Sequence, residues 1–531
     1  MMDLLQTETL IVTLMLVATL VAIVARRIRL PYTVSLVLVG FFLSIQSPVD
    51  VEVTPNIILA LFVPPLLFEA AFHLDFRLLR ENLVPILMLA VPGMVLATLL
   101  VGGVVALGTG LGFGVAVIFG ALIAATDPVA VVALFRDLGV PRRLAVAVEG
   151  ESLFNDGTAI VVFQIALAAT LSGVFNPLGG VLDFLRVAVG GLAIGLALGW
   201  VTAQLISRID DRLIVTTLTT LLAYGAYLAG EQFHVSGVLA VVAAGLVSGN
   251  VGLSGATPTT KIMLYNLWDF LAFLANSLVF LLIGLTVDLP LLGDHLVSIG
   301  IAVVAVLLSR AVVVYGLPVI SHLRRKSESH IPLSWRHVLF WGGLRGAISL
   351  ALALSLPTEL VQRDTLLAMT FGVVLFSLLA QGTSIRTLLN RLGLTQVSEH
   401  RMAQERRVGR LFAAESGLEQ LERLYRDGLL TDEMWAGLRE DYRQNQEQLV
   451  EEMNQLFAEH AELEREMLIK ARREALRAER SALADALRRG LISEHTYEEL
   501  YTEVDRRLEA LDMIQSSIQE DWTTAQRQEE D

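Results

Sequence analysis

Residues 122–163 read LIAATDPVAVVALFRDLGVPRRLAVAVEGESLFNDGTAIVVF, and two apolar runs meet there with carboxylates inside both. In the first run Thr126, Asp127 and Pro128 sit mid-span. Pro128 lacks an N–H and crowds the residue before it, so a helix is expected to break at Thr126–Asp127. Broken backbone at membrane depth is tolerated only where it is buried in protein or lines a wet cavity. In the second run Glu151, Ser152, Asn155 and Asp156 fall within six residues. Their i,i+4 pairs, Glu151 with Asn155 and Ser152 with Asp156, predict one helical face that gathers all four. Unwound backbone beside clustered oxygen ligands is how a membrane protein holds a small, hard cation. The stretch therefore reads as an ion-exchange site.

The rest of the chain fits that setting. Its 531 residues are 54% hydrophobic with a mean hydropathy of +0.61, as expected of a polytopic α-helical membrane protein. The absence of Cys excludes disulfides and thiolate chemistry, and no Walker-type loop supports an ATP-driven pump. The net charge of −14 is concentrated in one place: from residue 396 onward 32 acidic side chains face 19 basic ones. The acidity thus belongs to an appendage. The first apolar run, near Leu10, lacks a basic flank or cleavage site and is expected to be a true span.

Thirteen spans fit between residues 8 and 390, among them 113–136, 145–171 and 335–355. Basic residues occupy alternate loops: Arg26, Arg27 and Arg29; Arg77 and Arg80; Arg136, Arg142 and Arg143; Arg208 and Arg212; Lys261; Arg324, Arg325, Lys326 and Arg336. The positive-inside rule makes that side cytoplasmic, with the N-terminus outside and the acidic tail inside. Thirteen divides as six, one and six. Gly342-Gly343-Leu344-Arg345-Gly346 interrupts the twelfth span much as Thr126–Pro128 interrupts the fifth. Interrupted helices in matching halves indicate inverted repeats with a site at the midplane.

Ionisable groups inside a bilayer cost several kcal/mol unless paired or used, so each needs a role. Asp156, among oxygen-bearing neighbours, reads as the ion and proton site. Asp127 reads either as a ligand or as a cap on the half-helix that follows it. Glu69 reads as a ligand, a gate or an interfacial residue. Arg310 and Arg345 cannot shed their charge and must be neutralised. Arg310 is assigned to Glu151, and Arg345 to the helix ends at the crossover. His73 and the loop histidines have no partner at metal-ligand spacing and read as interfacial.

After Arg391 the apolar runs stop. Residues 395–531 read as an acidic helical domain, distinct from a transmembrane domain over 1–394. Tyr442, Leu449, Leu456 and Leu463 recur every seven residues, with Met453, His460 and Met467 beside them, which predicts a helix-packing seam or coiled coil. GLLTDEMW from Gly428 and GLISEHTY from Gly490 each predict a glycine stop followed by a Thr431 or Ser493 cap.

With these residues identified, the chain resembles the NhaP-type sodium/proton antiporters of the monovalent cation/proton antiporter-1 family, relatives of the animal Na+/H+ exchangers. The matching stretches are ATDPVAVV (125–132), GESLFNDGTAIVVF (150–163), LLFEAAFHL (66–74), Arg310 and GGLRGAIS (342–349). The resemblance implies a thirteen-helix homodimer with a moving core. It implies that Asp156 binds the ion or the proton, helped by Ser152, the Thr126 backbone and Glu69 as Na+ ligands. It also implies that an Asn155–Asp156 pair exchanges one cation for one proton, where Asp-Asp relatives are electrogenic.

Physics leads to the same expectation. Desolvation penalises a bare carboxylate, so one group held in a cavity takes a proton or a cation in turn. A loaded, neutral site crosses the membrane more readily than an empty, charged one. The expected function is Na+ (or Li+/K+)/H+ exchange by alternating access, without enzymatic activity or resident cofactor. The expected location is a cell membrane, with no nucleic-acid partner and an unidentified cytoplasmic regulator of the tail. The alternatives are a K+/H+ antiporter and a transporter-fold sensor signalling through that tail. A channel is disfavoured, since it would need a file of ligands rather than one cluster.

Overall fold

The structure is a computed structural model that describes residues 4–28, 32–46, 58–174, 176–209, 211–255, 258–285, 289–317, 332–394, 399–508 and 510–511. Among these 88% are helical and none is in a strand. Arg29 and the Arg324, Arg325 and Lys326 cluster, used above for orientation, lie outside the described residues. The chain separates into two compact units, Met1–Gln396 and Val397–Asp531.

Among the described residues of the first unit eight helices are long and apolar enough to cross a membrane, from Leu83–Thr109 to Arg363–Arg391, and four shorter apolar helices accompany them. Their surfaces divide by what they touch. The Phe113–Ala124 helix is buried along its final nine residues except Val117, at the centre of the largest apolar cluster. The Pro177–Ile206 helix instead turns Leu182, Leu185, Val189, Leu196 and Trp200 outward, as a helix facing acyl chains does. Its other side lies close to Gly237–Asn250, where a Cβ on Gly195 would strike the Ala240 backbone. Small residues permit such approaches between membrane helices, and shape complementarity then supplies the attraction.

Two helices are interrupted. One runs Phe113–Ala124, passes through non-helical residues 125–128, and resumes as Val129–Leu138. The other runs Leu333–Trp341 and resumes as Ala347–Leu354. Pro at 128 forces the first break, and a glycine-rich segment permits the second.

The second unit contains the helices Glu399–Arg426, Asp432–Glu459 and Ala461–Arg488, followed by helical residues 494–508. Gly428 and Gly490 take left-handed backbone, φ 73° and 69°, and Thr431 and Ser493 accept the amides of Met434 and Thr496. The heptad stripe does not form one continuous helix. His460, with φ −133° and ψ 78°, ends one helix and starts the next. Met453, Leu456 and Leu463 instead pack across that corner on Val408 and Leu411. A periodic apolar stripe specifies a buried face but not an unbroken backbone, and here the backbone turns at His460 within the stripe.

Candidate functional site

The interruptions meet. Asp127 N–H donates to Leu344 O across 2.8 Å, tying the non-helical segments together. Each break leaves two helix ends with unsatisfied backbone groups, and buried groups of that kind require partners. Asp127 serves both N-termini. Its Oδ1 accepts from Val129 N–H at 3.1 Å, and the Ala347 amide stands next to its carboxylate. A Cβ on Gly346 would collide with that carboxylate, so the glycine is needed for close approach.

The two C-terminal ends are satisfied differently. Arg310 donates to Leu339 O through Nε and Nη2, at 3.2 and 2.9 Å. Its remaining donors form a bidentate pair with Glu151, at 2.7 and 2.8 Å, with side chains 8% and 3% exposed. Arg345 is buried and donates through Nη1 to Gly343 O and Leu344 O. On the other broken helix neutral side chains do this work. Asn155 Nδ2 donates to Ala124 O at 3.0 Å and to Thr126 Oγ1 at 3.2 Å, and the Ser152 hydroxyl donates to Thr126 O.

The helix Arg142–Ser172 thus distributes its cluster rather than presenting one face. Glu149, Ser152 and Asp156, spaced i, i+3, i+7, line a cavity of about 80 Å³. Glu151 is turned to Arg310, and Asn155 to the chain break. A helix rotates 100° per residue, so neighbours 151 and 152 cannot share a direction. Thr126, Asp127 and Pro128 contribute to the same cavity, with Asn276 and Ser349. Its apolar wall is Val63, Leu66, Leu67 and Ala70. Asn155 Oδ1 and Ser349 Oγ are buried without a hydrogen-bond partner. Oxygen atoms of carboxylate, hydroxyl and amide groups, gathered in so small a space, suit a hard monovalent cation as cargo.

Glu69 is not among the residues lining the cavity. Leu66 and Ala70 of its helix face the cavity, and Glu69 lies one helical step off that face, with Oε1 3.3 Å from His73 Nδ1. His73 is not merely interfacial: its Nε2 is 3.4 Å from Asp269 Oδ1. Asn276 and Ser349 carried no sequence signal as cavity residues, since they come from segments far along the chain. Glu149 was legible in principle, three residues before Ser152 on one helical stripe.

An all-helical membrane fold with crossed, unwound helices beside a small cavity that carboxylate and hydroxyl side chains reach is the architecture of a cation/proton antiporter. Residues 12–391 match the family described as "Sodium/hydrogen exchanger, transmembrane", and the chain belongs to it as an NhaP-type member of the monovalent cation/proton antiporter-1 group. It is 41% identical over 409 residues to the Na(+)/H(+) antiporter ApNhaP of Aphanothece halophytica, covering 76% of this chain and 77% of that one. It is 35% identical over 498 residues to the Na(+)/H(+) antiporter NhaG of Bacillus atrophaeus, covering 91% and 94%. Among solved structures it superposes on the sodium proton antiporter MjNhaP1 from Methanocaldococcus jannaschii with a TM-score of 0.60. That match covers 74% of this chain and 100% of the other at 22% identity, a likeness of fold.

Proposed function

We propose that the chain exchanges Na+ for H+ by alternating access, with Asp156 as the group that carries either ion. The observation that carries this reading is the cavity that collects Asp156, Asp127, Ser152 and Thr126 at the crossing of two broken helices. Burial makes a bare Asp156 carboxylate costly, so a proton or a desolvated cation resides there in turn. With Asn155 neutral beside it, one site charge is balanced per cycle, which makes the exchange 1:1 and electroneutral. The bound cation takes over the Thr126 carbonyl and Ser152 hydroxyl that hydrogen-bond each other in this state. Glu69 and Arg345 stay outside the ligand set.

The membrane unit is read as thirteen spans in two inverted six-helix repeats: the eight long helices, the four short ones and the broken Leu333–Leu354 pair support that count. Arg77, Arg80, Arg142, Arg143, Arg208 and Arg212 support a cytoplasmic assignment for their loops. On that assignment the N-terminus lies outside the cell membrane, and the dimer that the family resemblance implies is adopted as part of the same reading. Residues 395–531 form a cytoplasmic domain that shifts the pH dependence of exchange.

Purified protein in liposomes, monitored for lumenal pH on addition of Na+, Li+ or K+, tests the reading. Na+-driven proton efflux without membrane potential is expected. Flux driven by K+ alone makes the protein a K+/H+ exchanger, and no flux with any cation makes it a sensor.

A further inference from the structure

We propose that Asn82, Arg143 and Trp335 form a headgroup site for an anionic glycerophospholipid at the edge of the membrane unit. The three residues stand at the starts of three helices. Asn82 immediately precedes Leu83–Met88, Arg143 is the second residue of Arg142–Ser172, and Trp335 is the third of Leu333–Trp341. They give a narrow crevice its polar end, and the rest of its lining, Pro85, Ile86, Leu89, Ala147 and Leu339, is apolar. On the adjoining face of the same short helix Val84 and Leu87 are exposed, as side chains facing acyl chains are. A polar end over an apolar floor suits a ligand with a head and a tail.

The Arg143 guanidinium identifies the head. Its Nε donates to Oδ1 of the buried Asn82 at 2.8 Å, and its central carbon lies 5.9 Å from the Trp335 ring centroid, within cation–π range. One edge and one face of the guanidinium are thereby held. Nη1 and Nη2 have no protein hydrogen-bond partner among the described residues. They form the fork that engages two oxygens of a phosphate. Arg142 alongside, exposed and 3.8 Å from Asp75, adds positive potential that the single Asp75 carboxylate offsets only in part. Tryptophan suits this depth, where an apolar ring meets the headgroup level. A zwitterionic headgroup would set its own cation against the two arginines, so the site fits the net-anionic class.

The crevice shares no residue with the Asp156 cavity. Leu339 lines it and also gives its carbonyl to Arg310, so a seated lipid braces the helix on which the Arg310–Glu151 pair rests. The binding proposal does not rest on the transport reading. Only the choice of leaflet, cytoplasmic, follows from the orientation proposed above.

The test is thermal unfolding of the delipidated, detergent-solubilised full chain, titrated with dioleoylphosphatidylglycerol, dioleoylphosphatidylcholine or inorganic phosphate. Phosphatidylglycerol should raise the unfolding temperature saturably, and the other two should leave it near its starting value. Arg143→Gln removes the fork and should weaken the phosphatidylglycerol effect about tenfold. An equal shift with phosphatidylcholine, a shift reproduced by inorganic phosphate, or one unchanged in Arg143→Gln overturns the proposal. Tryptophan fluorescence in liposomes reads the same site with Arg143 in place. Phosphatidylglycerol with brominated acyl chains should quench more than brominated phosphatidylcholine, and Trp335→Phe should abolish the excess. No excess, or an excess that persists in Trp335→Phe, overturns the site whether or not the Arg143 variant folds.

Discussion

The two broken helices solve one problem with opposite chemistry. In Leu333–Leu354 the exposed carbonyl end is held by guanidinium groups that never lose their charge, Arg310 and Arg345. In Phe113–Leu138 the equivalent end is held by a hydroxyl and an amide, Ser152 and Asn155. The N-termini of both resumed helices share one carboxylate, Asp127. A permanently charged cap leaves no place for a visiting cation, because like charges repel. A neutral cap can give way to one, since Thr126 O can exchange a hydroxyl donor for an ion. On the proposed function, the difference makes the second break architectural and the first the one that transports.

That contrast can be broken most forcefully at Arg310. Removing either Arg310 or Glu151 leaves a bare buried charge and should cost about 3–5 kcal/mol, read as a lower unfolding temperature. Arg310→Met with Glu151→Met should recover part of this. Recovery stays partial because Leu339 O loses its donors, worth about 1–3 kcal/mol. A double variant no more stable than the singles would show that the pair is not the energetic unit. Next in size is Gly346→Ala, which pushes a methyl against the Asp127 carboxylate. A loss of about 1–3 kcal/mol is expected, together with reduced exchange. Wild-type stability in that variant would mean that the two breaks are not locked together.

Two smaller effects sharpen the contrast. Asn155→Asp places a second carboxylate at the neutral cap and should turn electroneutral exchange into electrogenic exchange. A potential-sensitive dye reads the change, and a silent dye during active transport would detach Asn155 from stoichiometry. Ending the chain after Leu394 should leave transport intact and move only its pH–activity profile. An unchanged profile would remove the regulatory role of the second unit.

How much was legible in advance follows from the same contrast. Both interruptions could be read from Pro128 and from the run Gly342–Gly346, because local chemistry alone disfavours helix there. Charge neutrality demanded an arginine for Glu151, since an arginine has no neutral form to retreat to, but neutrality alone did not separate Arg310 from Arg345; the structure pairs Glu151 with Arg310. Where partners come from distant segments, no spacing announces them. Asn276 and Ser349 in the cavity, and Asp269 opposite His73, depend on helix packing that the sequence encodes only diffusely. The seven-residue stripe of the second unit is a milder case, because its apolar positions are buried while His460 bends the backbone between them.

The central claim is that one carboxylate beside a neutral cap carries either ion, and Asp156→Asn tests it most directly. The variant should fold with wild-type thermal stability, since the amide keeps the shape of the buried side chain. In liposomes it should show no Na+-driven proton efflux beyond that of protein-free vesicles. Wild-type-like efflux from folded Asp156→Asn protein would contradict the assignment and place the exchanged ions elsewhere in the fold.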